Sequence, residues 1–367
     1  MSLYELRTRQ ERYFTLSSEI AHLDTAQLRS LFDATETRRG WGENHVLPIR
    51  RSQVFVKRLP LTDLELDNLF STKNLYDLPT YYNYGVGSAG FGAFRELLTH
   101  IKTTNWVLEG AIANFPILYH YRIIPAVGER PAVDRARLRE YVEYWNNNEN
   151  VGRRMFDRMT AKHELVLFLE HMPYTIEPWL LDHPSKLNQV LEDIRTAITF
   201  LRNHGIIHFD ANFDNIISDG KRAYLTDFGL VLDKRFTLTK EELRFFKQNS
   251  YYDYGQILGS IDFLLHHTYR SLPDDERRRI QRKYGIAENL HPVKQTSLFL
   301  NNIEKVLADD IRIDTTYAVT LVKYHRITQL FLDFYVSMRE SNKKDTKFPN
   351  CKLERLLNET GFLMGSI

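Results

Sequence analysis

The chain has 367 residues, of which 43% are hydrophobic and 26% are charged, and its formal net charge is +2. This is an ordinary globular composition that can bury one large core, and the near balance of charge predicts neither nucleic acid nor a membrane surface as a partner. The single cysteine, Cys351, excludes an internal disulfide bond and fits a reducing compartment. Because the first ten residues carry several charges and no apolar run is long enough to span a membrane, the sequence predicts a cytoplasmic protein.

The amino-terminal part of the chain is predicted to hold helices followed by a strand. Residues 3–39 have the pattern of helices, and residues 54–59 form the best strand, with Lys57 on its inward side. Two glycines, Gly40 and Gly42, lie shortly before this strand, in a segment whose spacing suits a turn between two strands.

The middle of the chain alternates between helical and strand-like patterns. The glycine-rich loop, residues 85–92, precedes an apolar helical pattern that contains Glu96. Two more strands are predicted at residues 115–119 and 165–170. Between these strands, residues 133–160 are polar and helical, and we expect them to form an insertion of unknown purpose.

The carboxy-terminal half is predicted to be mainly helical. Apolar residues recur at helical spacing over residues 187–201, in the segment after Asp253, and over residues 315–339. A short hairpin is predicted over residues 216–225, with its turn at Ser-Asp-Gly. This hairpin is expected to return Asp227 to the polar residues that precede it.

Two short motifs carry most of the functional information. His208, Asp210 and Asn215 form the pattern H-x-D-x-x-x-x-N, and Asp227 begins D-F-G twelve residues later. Asn215 offers an amide oxygen and Asp227 a carboxylate, which are the hard oxygen ligands that Mg²⁺ prefers. Asp210 can accept or orient the proton of an attacking hydroxyl group, while His208 is expected to support the loop by hydrogen bonding. One such cluster is commonly a solvated turn, but the order and spacing of both motifs favour phosphoryl transfer.

With the helix before them and the hairpin between them, these motifs resemble the catalytic loop and the metal-binding turn of the protein-kinase-like superfamily. The resemblance is to an atypical, bacterial-type protein kinase that shares features with the aminoglycoside and choline phosphotransferases. It implies an enzyme that uses ATP and Mg²⁺. It also implies an α+β, two-lobed fold that forms one catalytic unit. Residues 1–172 would form the leading helices and a small β-rich lobe with insertions, and residues 173–367 a larger, mainly helical lobe.

The resemblance also assigns residues that would hold the phosphates of ATP. Lys57 would contact the α- and β-phosphates, and Glu96 would hold Lys57 in place. Because Glu96 follows Lys57 by 39 residues, an insertion at about residues 62–84 is implied. Gly40 and Gly42 would cover the phosphates. Two alternatives stay open: a plain hairpin turn at the two glycines, and a surface position on a helix for Glu96.

The remaining site residues follow from the same resemblance. Glu170 and Met172 lie where the predicted strand 165–170 ends, and their backbone groups would bind adenine. Asn215 and Asp227 would hold Mg²⁺. Asp253 would either cap its own helix or hold the backbone of the catalytic loop.

The glycine-rich loop, residues 85–92, has several interpretations. As a kinase glycine loop it would require Lys102 as the phosphate-binding lysine, although Lys102 follows a helical pattern and not a strand. As a dinucleotide-binding motif it would need repeated βαβ units and an acidic residue near Glu109. It could instead open the helix of Glu96 and touch the nucleotide phosphate. Otherwise it is a flexible lead-in to that helix.

The chain departs from the protein-kinase pattern in ways that concern regulation and substrate. Phe209 replaces the usual arginine between His and Asp, so control by a phosphate on the activation loop is not expected. Asn212 stands where Ser/Thr kinases carry lysine, so the positive charge at the transferring phosphate is incomplete or supplied elsewhere. No A-P-E motif follows, and 25 residues separate Asp227 from Asp253, so the platform for an extended peptide is predicted to be short.

These observations leave more than one function open. The D-F-G motif favours the hydroxyl group of a protein serine or threonine as the acceptor, and the H-x-D-x-x-x-x-N pattern without A-P-E also fits a small-molecule hydroxyl. A nucleotide-binding pseudokinase is disfavoured because Asp210, Asn215 and Asp227 are all present. Transfer of AMP in place of phosphate is a further alternative.

Overall fold

The computed structural model describes residues 1–35, 38–39, 43–127, 132–287 and 289–364. In that part of the chain, no helix combines the length and the apolar character that crossing a membrane requires. The protein begins with two helices, α1 (Leu3–His22) and α2 (Thr25–Asp33). Their first turns are capped by Ser2 and Asp24, whose side chains accept backbone N–H groups three residues later.

The helices are followed by a five-stranded antiparallel sheet with the strand order β1-β2-β3-β5-β4. Its strands are β1 (Arg38–Arg39), β2 (Glu43–Ile49), β3 (Ser52–Leu61), β4 (Leu118–Pro125) and β5 (His163–Glu170). The predicted strand that carries Lys57 is the central strand, and Lys57 lies opposite Asn44 on β2 and Leu167 on β5.

The strand predicted at residues 115–119 begins later than expected, at Leu118. The residues before it lie in a turn whose carbonyl groups are used elsewhere, since Arg9 of α1 donates to the carbonyl oxygens of Ala113 and Phe115 at 2.8 and 2.7 Å. Pro116 has no N–H group to offer a neighbouring strand. Tertiary contacts therefore move the start of β4.

A helix packs against one face of the sheet and carries Glu96. This helix, α4 (Ala93–Leu108), follows α3 (Asp63–Leu66) and a 3₁₀ turn at Thr80–Tyr84. Phe94 and Leu97 of α4 belong to an apolar cluster with Leu59 of β3. The predicted insertion at residues 133–160 is confirmed as helical, with α5 (Arg135–Tyr144) and α6 (Glu149–Met159).

The carboxy-terminal half is mainly helical, as predicted. Its helices are α7 (Ile176–Asp182), α8 (Leu187–Asn203), α9 (Lys240–Gln248), α10 (Tyr252–Gly259), α11 (Phe263–Ser271), α12 (Asp274–Tyr284), α13 (Pro292–Leu300), α14 (Ile303–Asp309), α15 (Thr315–Glu340) and α16 (Asn350–Glu359). Helix α10 approaches α15 closely because Gly255 has no side chain: a Cβ atom there would lie 2.4 Å from the Phe331 ring.

Two small antiparallel sheets lie among these helices. One has the order β6-β8-β9 and the other pairs β10 with β7. Their strands are β6 (Tyr174–Thr175), β7 (Ile206–Ile207), β8 (Ile216–Ser218), β9 (Ala223–Leu225) and β10 (Leu232–Asp233). The pair of β8 and β9 confirms the predicted hairpin over residues 216–225.

The molecule is a mixed α+β protein with small antiparallel sheets, which agrees with the predicted fold class. All strand pairs in the described ranges are antiparallel. The dinucleotide-binding interpretation of residues 85–92 is therefore wrong, because it requires parallel βαβ units. A large apolar cluster runs through both halves, from Val56 and Phe168 in the sheet to Leu201 and Ile257 in the helices. The division into two lobes at residue 172 stays a prediction.

Candidate active site

Lys57 projects from β3 toward the helix α4. Side chains alternate along a strand, so Lys57 lies on the face opposite the fully buried Val54 and Val56. Its ammonium group donates to Glu96 Oε1 at 2.7 Å and lies 2.8 Å from Asp227 Oδ2. Glu96 is buried, so the alternative of a surface helix residue is wrong.

This cluster of three charges shifts the pKa of each member. Burial by itself would lower the pKa of Lys57, but Asp227 and Glu96 outweigh it and raise that pKa, so Lys57 is a cation. Burial acts to raise the pKa of Asp227, yet the charge and hydrogen bond of Lys57 outweigh burial and lower it. For Glu96 burial dominates, and its pKa is raised although Lys57 opposes the shift. Lys57 thus favours the ionised form of Asp227.

The loop from His208 to Asn215 is fixed by a carboxylate from α10. The backbone N–H groups of His208 and Phe209 donate to Asp253 at 2.7 and 2.8 Å. These bonds hold Phe209 in the left-handed region (φ 62°), a conformation that costs a side-chain-bearing residue about 1–3 kcal/mol. Burial raises the pKa of Asp253 to about 6, and the two hydrogen bonds oppose that rise. The N-cap position of α10 belongs to Tyr251, so the interpretation of Asp253 as an ordinary helix cap is wrong.

His208 supports the loop, as its hydrogen bonds indicate. Its Nε2 lies 3.0 Å from the carbonyl oxygen of Thr226, and the Asp210 N–H donates to its Nδ1 at 3.2 Å. Nδ1 accepts, so the proton is on Nε2, which donates to Thr226. Burial lowers the pKa of His208 to about 4, in keeping with a neutral ring.

Asp210 is held by two asparagine side chains. Asn215 Nδ2 donates to Asp210 Oδ2 at 2.7 Å and to its carbonyl oxygen at 2.9 Å, and Asn212 Nδ2 donates to Oδ1 at 2.8 Å. Burial and then the negative charge of Asp227 raise the pKa of Asp210 to about 7, against the hydrogen bond from Asn215. A carboxyl group with this pKa can exchange a proton with a hydroxyl group near neutral pH.

Asn215 and Asp227 are the residues that can hold a metal ion. The amide nitrogen of Asn215 is engaged by Asp210, which leaves its amide oxygen as the acceptor. In the described ranges no cluster of three or more His, Cys, Asp and Glu side chains is arranged to hold a metal by itself. Mg²⁺ is commonly bound by one or two protein oxygens together with substrate phosphates, so this pair fits Mg²⁺ with a nucleotide better than an all-protein metal site.

A cavity of about 550 Å³ lies between the sheet and the loop that holds Asp214 and Asn215. This volume is within the range of small-molecule sites, about 300–1,000 Å³. Its lining combines apolar side chains, among them Val46, Phe55 and Ile217, with the charged and polar side chains of Lys57, Asn215 and Asp227. Glu170 and Met172 also line it. A lining of both kinds suits a ligand that has an apolar ring and a charged group, as a nucleotide does.

Glu170 has a second role that its position in the sequence does not indicate. Its carboxylate accepts from Arg9 Nη2 at 2.5 Å and from the backbone N–H of Ile117 at 3.2 Å. Arg12 Nη1 lies 3.6 Å from the other oxygen. The side chain therefore joins α1 to the end of β5. The Glu170 backbone N–H is also engaged, because it donates to the carbonyl oxygen of Ile117 at 2.7 Å.

The glycine-rich loop lies directly on Asp210 and on Gly229 of the D-F-G motif. A Cβ atom at Gly85 (φ 75°) would lie 3.1 Å from Asp210 Oδ1, and one at Gly90 (φ 79°) would lie 2.9 Å from the carbonyl oxygen of Gly229. The Phe91 N–H also donates to that carbonyl oxygen at 3.1 Å. Gly92 is the N-cap of α4, so the loop opens the helix of Glu96, as one interpretation expected.

The other glycine-based interpretations have different outcomes. Lys102 lies on α4 and forms an ion pair with Asp233, so the kinase-glycine-loop interpretation of residues 85–92 is wrong. Gly40 and Gly42 lie outside the described residues. The strands on either side, β1 and β2, pair in antiparallel fashion.

The sequence interpretation missed several residues of the site. Arg154 and Arg158 of α6 line a second cavity, of about 170 Å³, together with Asp210 and Asp227. Both arginines share a buried helix face with Val151, and this spacing of three and four residues was the available signal. His100 lies one turn after Glu96 and lines the larger cavity. Burial lowers the pKa of His100 to about 3, so it is neutral.

Comparisons with known proteins give a weak and partial match. No protein-family model matches the chain. The chain is similar to a probable serine/threonine-protein kinase of fowlpox virus (strain NVSL), with 25% identity over 130 residues. The match covers 32% of this chain and 43% of that protein, so it spans less than half of either. This similarity suggests a kinase-like phosphotransferase and supports a relationship to the protein-kinase-like superfamily at most.

Proposed function

We propose that the chain is a phosphotransferase that uses ATP and Mg²⁺ to move the γ-phosphate of ATP to a hydroxyl group. The observation that carries the proposal is the meeting of Lys57, Glu96, Asp210, Asn215 and Asp227, which come from three separate parts of the sequence, beside one nucleotide-sized cavity that Lys57, Asn215 and Asp227 line. Phosphoryl transfer needs mainly positioning and neutralisation of charge, and this set of a cation, a metal pair and a proton acceptor supplies both.

The proposed architecture places the cavity between two lobes of one catalytic unit. Residues 1–172 would form the small lobe around the five-stranded sheet, and residues 173–367 the large helical lobe. Support comes from the lining of the cavity, which takes Phe55 and Leu169 from the sheet and Asn215 and Ile217 from the helical half.

Each site residue has a proposed role. Adenine would bond to backbone groups at Glu170 and Met172, and Lys57, held by Glu96, would contact the α- and β-phosphates. Asn215 and Asp227 would hold Mg²⁺, which neutralises charge on the phosphates when it is bound. Asp210 would orient the acceptor hydroxyl group and take up its proton, and a pKa of about 7 suits that exchange.

A protein serine or threonine is the first proposed acceptor. The similarity to the fowlpox protein, which is named as a probable serine/threonine-protein kinase, and the D-F-G motif support it. The intact Asp210, Asn215 and Asp227 argue against a pseudokinase.

A small-molecule hydroxyl is the second proposed acceptor, and a specific observation favours it. A cavity of about 340 Å³ lies beyond Asp210 and is lined also by Asn212, Glu177, Asp262 and Arg339. Burial raises the pKa of Asp262 to about 7. A cavity of this size, opening on the proposed base, suits a compact acceptor better than an extended peptide.

The test uses ATP labelled at the γ-phosphate, Mg²⁺ and the full chain, with a generic protein acceptor in one series and a library of small-molecule hydroxyl compounds in another. Asp210→Asn and Asp227→Asn are run beside Asp309→Asn, a change at a half-exposed aspartate on α14. Label on protein that is lost in the first two variants and kept in the third supports a protein kinase. ADP release that rises with a small molecule supports the second acceptor class.

Other outcomes count against the proposal. A mass increase of AMP on the acceptor would replace phosphate transfer by nucleotide transfer. ATP binding without turnover, in the wild type and in every variant alike, would favour a pseudokinase.

A further inference from the structure

The smaller cavity, of about 170 Å³, is lined by two cations, Arg154 and Arg158 of α6, that the proposed roles do not use. We call it the arginine cavity, and its lining also includes Lys57, Glu96, Asp210, Asp227 and residues of the glycine-rich loop. Lys57 and Asp227 also line the nucleotide-sized cavity, so the two cavities meet at this ion pair. A group that extends from the larger cavity past Lys57 and Asp227 would enter the arginine cavity.

Arg154 is buried with part of its hydrogen-bonding capacity unused. It is 2% exposed, and its Nε donates to the carbonyl oxygen of Gly90 at 2.8 Å. Its Nη1 lies 3.7 Å from Glu65 Oε1, and neither Nη1 nor Nη2 makes a hydrogen bond. A guanidinium group presents a planar fork of N–H donors that matches a phosphate, and buried donors without acceptors are costly.

Ser88 is a second buried residue whose polar group makes no hydrogen bond. Its side chain lines the arginine cavity from the glycine-rich loop, is buried, and its hydroxyl group makes no hydrogen bond. Two chemically different side chains, from α6 and from the loop, therefore offer unused donors to one small polar space. An acceptor with several oxygens would satisfy both.

The helical insertion holds the loop in this place. Tyr144 of α5 donates to the carbonyl oxygen of Val86 at 2.8 Å. The Ala89 N–H donates to the hydroxyl group of Tyr82 at 2.8 Å, and that hydroxyl lies 2.6 Å from the Tyr141 hydroxyl. The loop is thus fixed between the insertion and the catalytic residues before any ligand binds.

We propose that Arg154 and Ser88 form a phosphoryl-binding subsite, and that its ligand is the terminal phosphate of the nucleotide. This inference rests on the proposed function, because the larger cavity must hold the rest of the nucleotide. The shared lining of Lys57 and Asp227 favours the nucleotide over a phosphate carried by the acceptor. The insertion at residues 133–160 then has a purpose: it supplies the cation that meets the charge developing on the transferred group.

The test compares two nucleotides in each variant. Calorimetry gives the dissociation constants of Mg²⁺-ADP and of the Mg²⁺ complex of β,γ-imido-ATP, which carries the third phosphate and is not hydrolysed. The variants are Arg154→Gln, Ser88→Ala and Arg153→Gln, the last removing an exposed cation from the same helix. We expect Arg154→Gln to raise the dissociation constant of the triphosphate by about 10- to 100-fold and that of ADP by less than about twofold.

Ser88→Ala is expected to raise the dissociation constant of the triphosphate by about 3- to 10-fold and to leave that of ADP unchanged. Arg153→Gln is expected to change neither dissociation constant. The Ser88 hydroxyl group has no partner to lose, so this variant should fold normally and keeps the test decisive if Arg154→Gln does not fold. Equal weakening of both nucleotides by Arg154→Gln, with no effect of Ser88→Ala, would overturn the inference in favour of a structural role.

Two further results would count against the nucleotide as the source of the phosphate. Unchanged binding of the triphosphate in both variants, with loss of inorganic phosphate binding by the ADP-saturated protein, would assign the subsite to the acceptor. Failure of the wild type to bind either nucleotide would overturn the proposed function itself. Binding of both nucleotides with the same affinity in the wild type and in every variant would overturn only the proposed subsite.

Discussion

Lys57 and Glu96 are separated by 39 residues in the chain, and the Lys57 ammonium group donates to the Glu96 carboxylate at 2.7 Å. The contact depends on how α4 lies on the sheet. Phe94 and Leu97, on either side of Glu96, pack in an apolar cluster with Leu59 of β3. The residues between β3 and α4 form α3, the 3₁₀ turn and the glycine-rich loop, so their length does not prevent the pair from forming.

Replacing Lys57 by methionine is expected to weaken nucleotide binding by about 10- to 100-fold, because a hydrogen bond to a charged group is worth about 1.5–3 kcal/mol. It also leaves Glu96 and Asp227 as neighbouring carboxylates without their cation. The measurement is the dissociation constant of Mg²⁺-ATP by calorimetry, with the unfolding midpoint recorded beside it.

Glu96→Gln is the matched control for this change. The amide retains an acceptor for the Lys57 ammonium group and removes only the charge, so the loss of affinity should be smaller than for Lys57→Met. If Glu96→Gln weakened binding as much as Lys57→Met, the pair would not act by placing Lys57, and the role assigned to Glu96 would be wrong.

The raised pKa of Asp210 predicts how activity and stability depend on pH. Without ligand this pKa is about 7, so the base form appears as pH rises, and kcat/KM should climb up to about pH 7 and level off above it. Unfolded aspartate titrates near pH 3.9, so the folded state holds a proton between about pH 4 and 7 that the unfolded state has lost. This contribution to stability is fully present below about pH 4 and is lost as pH rises through 7.

Asp210→Asn should therefore abolish turnover and yet be more stable than the wild type at pH 8, by on the order of 1–3 kcal/mol. At pH 4 the two proteins should be equally stable, because a protonated carboxyl group resembles an amide. The check is urea unfolding across pH 4 to 8, with Asp309→Asn as a surface control. Parallel stability curves for the wild type and Asp210→Asn over this range would contradict the raised pKa.

The local patterns in the sequence were sufficient for the strand of Lys57, the helix of Glu96 and the hairpin before Asp227, since each depends on periodicity or turn residues over a short range. The spacing of Asp210, Asn215 and Asp227 likewise indicated a shared site. The fold class followed from the same patterns, as the mixed α+β structure confirms.

The features that the sequence did not predict depend on distant packing. Arg154 donates a hydrogen bond to Gly90, which is 64 residues away in the sequence. Arg9 donates one to Glu170, which is 161 residues away. The periodicity of α1 and α6 does not predict which carbonyl or carboxylate group their arginines will bind. The neutral Asn212 indicated that positive charge at the transferring phosphate is either incomplete or supplied elsewhere, and the proposed role of Arg154 corresponds to the second alternative.

The packing of Phe209 predicts that the proposed ATP turnover does not need phosphorylation of the chain. Its ring is fully buried and lies 5.3 Å from Phe245 of α9 and 5.4 Å from Tyr252 of α10, measured between ring centroids. The segment after D-F-G is therefore held by apolar packing and not by an arginine that waits for a phosphate. Protein treated with phosphatase should keep its ATP turnover within about twofold of untreated protein.

The same packing makes Phe209 important for stability. Phe209→Ala should lower the free energy of unfolding by about 3–5 kcal/mol, the usual range for a buried phenylalanine. Phe156→Ala, at an exposed phenylalanine on α6, should change it by less than about 0.5 kcal/mol. Loss of turnover after phosphatase treatment, reversed by a kinase, would show that a phosphate and not Phe209 orders this segment.

The ion pair of Arg9 and Glu170 predicts that α1 supports the wall of the nucleotide-sized cavity at Glu170. Arg9 is 5% exposed and also binds the carbonyl oxygens of Ala113 and Phe115. Arg9→Met should lower the free energy of unfolding by about 3 kcal/mol or more, because it leaves the buried Glu170 carboxylate without its closest cation. Arg7→Met, at an exposed position on the same helix, is the matched control.

A double-mutant cycle distinguishes the ion pair from simple packing. Replacing both partners, as in Arg9→Met with Glu170→Met, removes the buried charges together and should recover much of the stability that Arg9→Met loses. Since Glu170 lines the nucleotide-sized cavity, Arg9→Met should also weaken the binding of ATP. The binding of adenosine should fall by the same factor, because the proposed phosphate contacts lie elsewhere. Additive effects of the two substitutions, or a loss that spares adenosine, would mean that α1 does not act on the base through Glu170.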